Sequence, residues 1–220
     1  MNSAADSDEK SRAYFRTRLS PDARRSGAWR LIARRLEELV PIRPDAAVLD
    51  LGAGYCDFIN EVNAKEKHAV DLAPAKEHAA PGVVFHQTRC DELDALPAAH
   101  FDAALASNLF EHLPQDGIRK TLAGLARVLK PGGRLVVMQP NFRDCFREFY
   151  DDYTHVTPLT HLGLADLIAS CGYAVEKVYP KFLPFSFKSS RLPAPAFLVW
   201  LYLRLPWKPR SGQCLIVAVR

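Results

Sequence analysis

Val48-Leu49-Asp50-Leu51-Gly52-Ala53-Gly54-Tyr55-Cys56 is answered downstream by Ala69-Val70-Asp71-Leu72. The first stretch reads as a buried strand running into a glycine turn, the second as another buried strand ending in a carboxylate. Glycines at 52 and 54 let a ligand approach the backbone closely, because no Cβ intervenes. A carboxylate at 71 can accept both hydroxyls of a ribose. Asp71 lies 19 residues after Gly52, the spacing expected when one helix crosses between two neighbouring parallel strands. Together they describe a nucleotide-shaped pocket at the carboxyl edge of a parallel sheet.

Such a pocket suits NAD or S-adenosyl-L-methionine, and the details favour the second. A dinucleotide fingerprint needs a third glycine three residues after the second, where the helix meets the pyrophosphate. Asp57 stands there, and an acid at the mouth of a helix N-terminus repels a pyrophosphate. S-adenosyl-L-methionine carries a sulfonium and an ammonium and no phosphate. Asp50, just before the turn, suits its cationic amino-acid tail.

At 220 residues and 48% hydrophobic content, a single domain with a full core is expected. No run of about 18 apolar residues is present, so no transmembrane helix is expected. Residues 1–11 are polar and acidic, which reads as a disordered tail and not a signal peptide. The five cysteines are scattered and none forms a C-x-x-C pair, so no metal site is expected and a reduced, cytoplasmic setting is the simplest reading. A net charge of +4 is too mild to indicate a nucleic-acid partner.

Helix and strand signals alternate along the chain. Pro21 to Val40 reads as an amphipathic helix with Trp29, Ile32, Leu36, Leu39 and Val40 on one face. Strands are expected at 46–51, 68–72, 82–86, 101–107, 134–138, 173–179 and 213–219. Helices are expected at 57–64, 115–129 and 159–170, with Lys130-Pro131-Gly132-Gly133 as a stop and turn. That alternation predicts a doubly wound α/β fold with a mostly parallel sheet.

Four stretches together carry a family resemblance. They are Val48 to Gly54, Val70-Asp71-Leu72, Phe101 to Leu113, and Leu125-Ala126-Arg127-Val128-Leu129-Lys130-Pro131-Gly132-Gly133-Arg134-Leu135. In this order, over roughly residues 46–140, the chain resembles the class I S-adenosylmethionine-dependent methyltransferases of the small Rossmann-like type. The resemblance implies a seven-stranded sheet with an antiparallel last strand beside the fifth. It implies that Gly52, Ala53 and Gly54 line the methionine part of the cofactor with Asp50 beneath the turn. Asp71 would hold the ribose, Leu72 would lie against the adenine, and Asn108 and Leu109 would face the methionine end. Asp91, with Glu92 as its rival, is the match for an acid that accepts the adenine amino group. The plain alternative for Asp91 is a solvated loop carboxylate. More loosely, Tyr55 to Asn60, Tyr150 to Thr160 and Phe182 to Leu205 are similar to bacterial methyltransferases that accompany sugar or polysaccharide genes. That implies a sugar or lipid-linked glycan hydroxyl as acceptor.

A hydroxyl acceptor gains from a general base, and His112, after the fourth strand, is placed to be one; a structural or cofactor-side role fits it equally. Asn141 to Thr160 is rich in aromatics, acids and arginine. There Tyr150, Asp152 and His155 are acceptor-side candidates, against the reading of a lid whose aromatics merely pack. Thr157 or Thr160 would cap the following helix. Expected divisions are therefore a helical lid at 12–44, a cofactor core at 45–140, an acceptor-side insertion at 141–158 and an apolar segment at 181–210. Eight arginines between 12 and 35 fit an anionic acceptor or, more simply, a solvated helix face. The run 181–207 fits a docked helix with some exposed apolar surface, a membrane or lipid-linked-substrate contact, a greasy cleft or a dimer face. Two other function classes stay open: a non-catalytic cofactor-binding partner subunit, and an NAD-dependent oxidoreductase, which Asp57 disfavours.

Overall fold

The computed structural model describes residues 23–184 and 196–220, with side chains from residue 27 onward. The tail 1–11, Tyr14 and Phe15, the arginines up to 25, and Phe185, Phe187 and Lys188 lie outside the described side chains.

In chain order the elements are α1 (Ala23–Leu39), β1 (Ala47–Leu51), α2 (Asp57–Glu61), β2 (Glu66–Asp71), β3 (Val83–Gln87) and β4 (Phe101–Ser107). There follow α3 (Gln115–Val128), β5 (Leu129–Pro140), α4 (Phe142–Cys145), α5 (His161–Ser170), β6 (Ala174–Pro184), α6 (Ala196–Arg204) and β7 (Ser211–Val219). Seven strands form one sheet in the order β3-β2-β1-β4-β5-β7-β6. The first five are parallel, and β7 runs antiparallel between β5 and β6. This is the doubly wound, Rossmann-like fold expected, with the antiparallel strand beside the fifth.

Both faces of the sheet are covered, which is why its central strands read as near-continuous apolar runs. On one face Val48, Ala69, Leu105, Val136 and Leu215 pack under α1, α2 and α6, through Ile32, Leu36, Phe58, Val199 and Leu203. On the other, Leu49, Leu51, Val70, Ala106, Val137 and Ile216 pack under α3 and α5, through Ile118, Leu122, Leu125, Leu164 and Ile168. The N-terminal helix thus lays its apolar stripe into the core, with Ile32, Ala33 and Leu36 buried. Helix α6 docks by Val199 and Leu203 while Phe197, Leu198 and Trp200 stay exposed, as does Trp207 just beyond it. Among the described residues no helix is long and apolar enough to cross a membrane.

The expected turn at Lys130–Gly133 is a bulge inside a longer strand. Leu129 pairs with Phe101, and the ladder resumes only at Ala103 with Arg134. Gly132 takes a φ of +78°, and a Cβ on Gly133 would stand 2.8 Å from the Lys130 carbonyl oxygen. Lys130 secures the bulge through Asp102, 2.8 Å away, whose carboxylate also accepts the Ala47 N–H. Strand β6 runs on to Pro184, five residues past its expected end, because β7 supplies partners to Leu183 and Pro184.

Candidate functional site

The site forms where β1, β2, β4 and β5 end. Gly52 and Ala53 both donate their N–H to the Val70 carbonyl, at 2.8 and 3.1 Å, so the turn after β1 is tied to the end of β2. Gly52 has a φ of +71°, open to glycine at little cost. A Cβ there would meet Leu109 Cδ1 at 3.0 Å, so the turn and the residue after β4 are in close approach. Asn108 turns the chain out of β4 in the left-handed region, φ 49°, which Asn tolerates better than most residues, and its N–H reaches the Met138 carbonyl at 2.7 Å.

Asp71 is the hinge of this arrangement. Its Oδ2 accepts the Gly54 N–H at 2.8 Å and its Oδ1 the Ala73 N–H at 2.9 Å. Burial raises its pKa and those N–H groups oppose the rise. Asp50 is 3% exposed, and burial pushes its carboxyl up to about 8 against the pull of the Ile59 N–H, so it sits beneath the turn as a largely protonated acid at neutral pH. Leu72, Ala53 and Gly54 are half-buried beside them. Asp91, after β3, is paired with Arg89 through Nε at 2.9 Å and a second nitrogen at 3.3 Å. Glu92 meets the same Arg89 at 3.4 Å.

Three of the four expected acceptor-side residues come together. The connection after β5 folds back onto the turn Phe110–His112, with the N–H groups of Val156 and Thr157 on the Glu111 carbonyl. His112 and His155 then meet edge to face, ring centroids 4.8 Å apart. The Thr154 hydroxyl lies 2.6 Å from Asp152 Oδ1 and 2.9 Å from His112 Nδ1. Asp152 only accepts, so it takes the hydroxyl proton, and His112 Nδ1–H donates to the Thr154 oxygen. That tautomer makes Nε2 the basic nitrogen of His112. His155 donates Nδ1–H to the Phe149 carbonyl at 2.6 Å, which makes Nε2 its basic nitrogen too. Burial first, and His155 second, lower the His112 pKa to about 4, so the ring is neutral at pH 7.

Tyr150 stands apart from that group: it is 59% exposed and packs edge-on against Phe149, centroids 5.1 Å apart. Of the two candidate caps, Thr160 accepts the Gly163 N–H at the start of α5, while the Thr157 hydroxyl donates to the Leu113 carbonyl.

Two participants were missed from the sequence. Thr154 links Asp152 to His112, and the D-x-T spacing of an Asx turn was its available signal. Glu111 is 1% exposed, its carboxyl pushed up to about 8 by burial, and its Oε2 has no protein partner. Gln139, near the end of β5, is equally buried with both amide atoms unpartnered. Nothing in a Glu-His-Leu triplet marks its acid as buried.

A family model described as a methyltransferase domain matches residues 22–178. A curated relative, trans-aconitate 2-methyltransferase of Deinococcus radiodurans, is 28% identical over 184 residues, covering 69% of each chain. Among solved structures, an S-adenosylmethionine-dependent methyltransferase from Archaeoglobus fulgidus superposes with a TM-score of 0.65 at 18% identity, over 94% of this chain and 98% of that one. The Burkholderia thailandensis 1,6-didemethyltoxoflavin-N1-methyltransferase, solved with its substrate and S-adenosylhomocysteine, gives 0.61 at 20% identity, over 99% and 86%.

Proposed function

The chain belongs to the methyltransferase-domain family, its cofactor is S-adenosyl-L-methionine, and we propose that it methylates a hydroxyl of a neutral, sugar-like acceptor. The observation that carries this reading is the Asp152–Thr154–His112 relay, which holds a neutral imidazole with Nε2 as its base.

The residues at the strand ends fit the cofactor. Asp71 has oxygen lone pairs beyond those used by Gly54 and Ala73, matched to two ribose hydroxyls. Leu109 and the Gly52 turn form a cradle that a single Cβ would fill. In this proposal Gly52, Ala53 and Gly54 hold the methionine portion, with Asp50 beneath them and Asn108 and Leu109 opposite. Leu72 lies along the adenine, and Asp91, steadied by Arg89, takes its amino group. When bound, S-adenosyl-L-methionine supplies a methyl group already activated on a sulfonium. What remains for the chain is to position the acceptor, which can supply several kcal/mol, and to remove its proton.

His112 Nε2 accepts the hydroxyl proton, and the charge that develops on the ring is met through Thr154 by the ionised Asp152. His155 packs edge to face on the His112 ring, centroids 4.8 Å apart, and helps hold it in place. Glu111, protonated below about pH 8, leaves the base neutral by adding no second anion beside it. Phe146, Tyr150 and Tyr153, all more than half exposed, offer flat apolar surface of the kind that stacks on sugar C–H faces. The connection carries Asp144, Glu148, Asp151 and Asp152 against Arg143 and Arg147, a net negative balance that suits a neutral acceptor better than an anionic one. The division of labour belongs to the same proposal: 45–140 for cofactor, 141–158 for acceptor, 12–44 as cover. The apolar residues of 181–210 would meet the lipid part of a lipid-linked glycan.

The test is to follow S-adenosylhomocysteine formation with neutral sugars and lipid-linked glycans, and with trans-aconitate as a carboxylate control. Hydroxyl methylation that falls in His112→Asn supports the reading. Turnover of trans-aconitate alone, unchanged in that variant, overturns it, because a carboxylate needs no base. Tight S-adenosylhomocysteine binding with no turnover of any acceptor would point to a partner subunit.

A further inference from the structure

A second group of titratable side chains lies at the opposite edge of the sheet. Glu66 opens β2, and His68, two residues on, projects from the same face. His100 stands immediately before β4. Glu66 Oε1 is 2.9 Å from His68 Nε2 and 2.7 Å from His100 Nε2, so both rings aim the same nitrogen at one carboxylate oxygen. The ligand atoms of all three lie within 4.8 Å of one another. Five strand steps separate Glu66 from Asp71, about 16 Å at the usual rise, so this group is remote from the cofactor turn.

We propose that Glu66, His68 and His100 form a binding site for a zinc-class divalent transition-metal ion. Two imidazoles and a carboxylate are a donor set that zinc takes with a fourth position left to water. Tetrahedral zinc at ordinary bond lengths keeps its ligand atoms about 3.3 Å apart. The two carboxylate–imidazole separations, 2.9 and 2.7 Å, therefore need to open by about half an ångström, and the two imidazole nitrogens already lie within 4.8 Å of each other.

The surroundings supply what a metal-bound imidazole needs behind it. His68 is buried, and its other nitrogen, Nδ1, lies 2.9 Å from His86 Nε2 on β3, the rings stacked at 5.1 Å. With the metal on His68 Nε2, Nδ1–H donates to His86 and fixes the ring's tautomer and direction. Phe101 walls the site, edge-on to His68 at 5.1 Å and to His100 at 5.0 Å. Glu66 and His100 are partly exposed, so the ion has a way in. The metal would act as a clasp. It ties the end of the helix-free connection 88–100, which carries Asp91, to the start of β2 across β1.

The experiment is titration of tag-free protein with Co²⁺, read by the visible bands of a tetrahedral site, and with Zn²⁺, read by calorimetry and thermal denaturation. One ion should bind and raise the melting temperature, reversibly with chelator. Affinity should fall by about 10–100-fold in His86→Phe, the loss typical when the partner behind a ligand is removed. Glu66→Gln and His100→Ala should lose the cobalt bands while still binding S-adenosylhomocysteine, and His112→Asn should keep them. Ring resonances of His68 and His100 should move with zinc in the unaltered protein, which covers the case of a variant that does not fold. No stoichiometric binding overturns the proposal. Bands lost in His112→Asn and kept in His100→Ala would place the ion at the Glu111, His112 and His155 group and overturn it equally.

Discussion

Replacing Asp71 by Asn changes one oxygen to an NH2 and tests the hinge of the site. In the native turn each carboxylate oxygen accepts one backbone N–H, from Ala73 and from Gly54. Asn has only one acceptor oxygen, so one of those N–H groups must face another donor. A buried donor left in that state costs about 1–3 kcal/mol. Near 2 kcal/mol, a chain of this size should melt roughly 4–8 °C lower. Binding should suffer separately. A charged acceptor is worth about 1.5–3 kcal/mol to the groups it meets, and a ribose pair loses at least one such bond, which is roughly a 10–150-fold weaker affinity. Calorimetric titration with S-adenosylhomocysteine, beside thermal denaturation with and without ligand, reads both effects. A variant that melts like the parent would refute the assignment of both N–H bonds to this carboxylate. One that melts lower but binds S-adenosylhomocysteine equally well would refute the ribose role.

Other outcomes follow from the acceptor side and the core. Glu111 has a folded pKa near 8 against about 4.3 in the unfolded chain. The folded state thus keeps a proton that the unfolded state releases, and stability falls as pH rises between those values. Glu111→Gln removes that titration, so its stability relative to the parent should climb from pH 5 to pH 8 in urea unfolding; parallel profiles would refute the buried acid. His112 titrates near 4, below its unfolded value of about 6.5, so the base stays unprotonated at pH 6. The kcat/KM profile should show no acidic limb near 6.5, and His112→Asn should cost about 100–10,000-fold in kcat with S-adenosylhomocysteine affinity intact. Asn141 is fully buried, accepts the His161 N–H at 3.0 Å and donates to the Pro180 carbonyl at 3.1 Å. Asn141→Ala should cost about 2–4 kcal/mol in denaturant unfolding, since it strands groups at the start of α5 and in β6.

The cofactor half of the fold was legible because its signals are local. Val48 to Gly54 is a buried parallel strand ending in a turn that only small residues permit, and Asp71 follows at one crossover's distance. The alternating strands and helices set the winding, and the placement of β7 beside β5 came with the family resemblance. What stayed hidden depends on contacts distant in sequence. Lys130–Gly133 has turn composition, yet Phe101 draws Leu129 into the ladder and leaves the turn as a bulge. Tyr150, Asp152 and His155 read alike by type, and only the folded connection shows Asp152 and His155 turned to His112 while Tyr150 packs edge-on against Phe149 with its other face exposed. The expectation of no metal rested on cysteine spacing, which is blind to Glu66, His68 and His100. Their convergence is made by β1 lying between β2 and β4, and no local spacing records it.

The order β5-β7-β6 also has a consequence for how the chain is made. Among the described residues strand β6 is hydrogen-bonded to β7 alone, and the edge of β5 away from β4 is likewise closed only by β7, whose residues Ser211 to Ala218 are all buried. During synthesis β7 emerges after both β5 and β6, so two earlier strands wait for it. Until it arrives, the nascent domain presents two open strand edges and the apolar ground between them, the surface on which unfinished chains pair with one another. Closure of the sheet thus waits on β7.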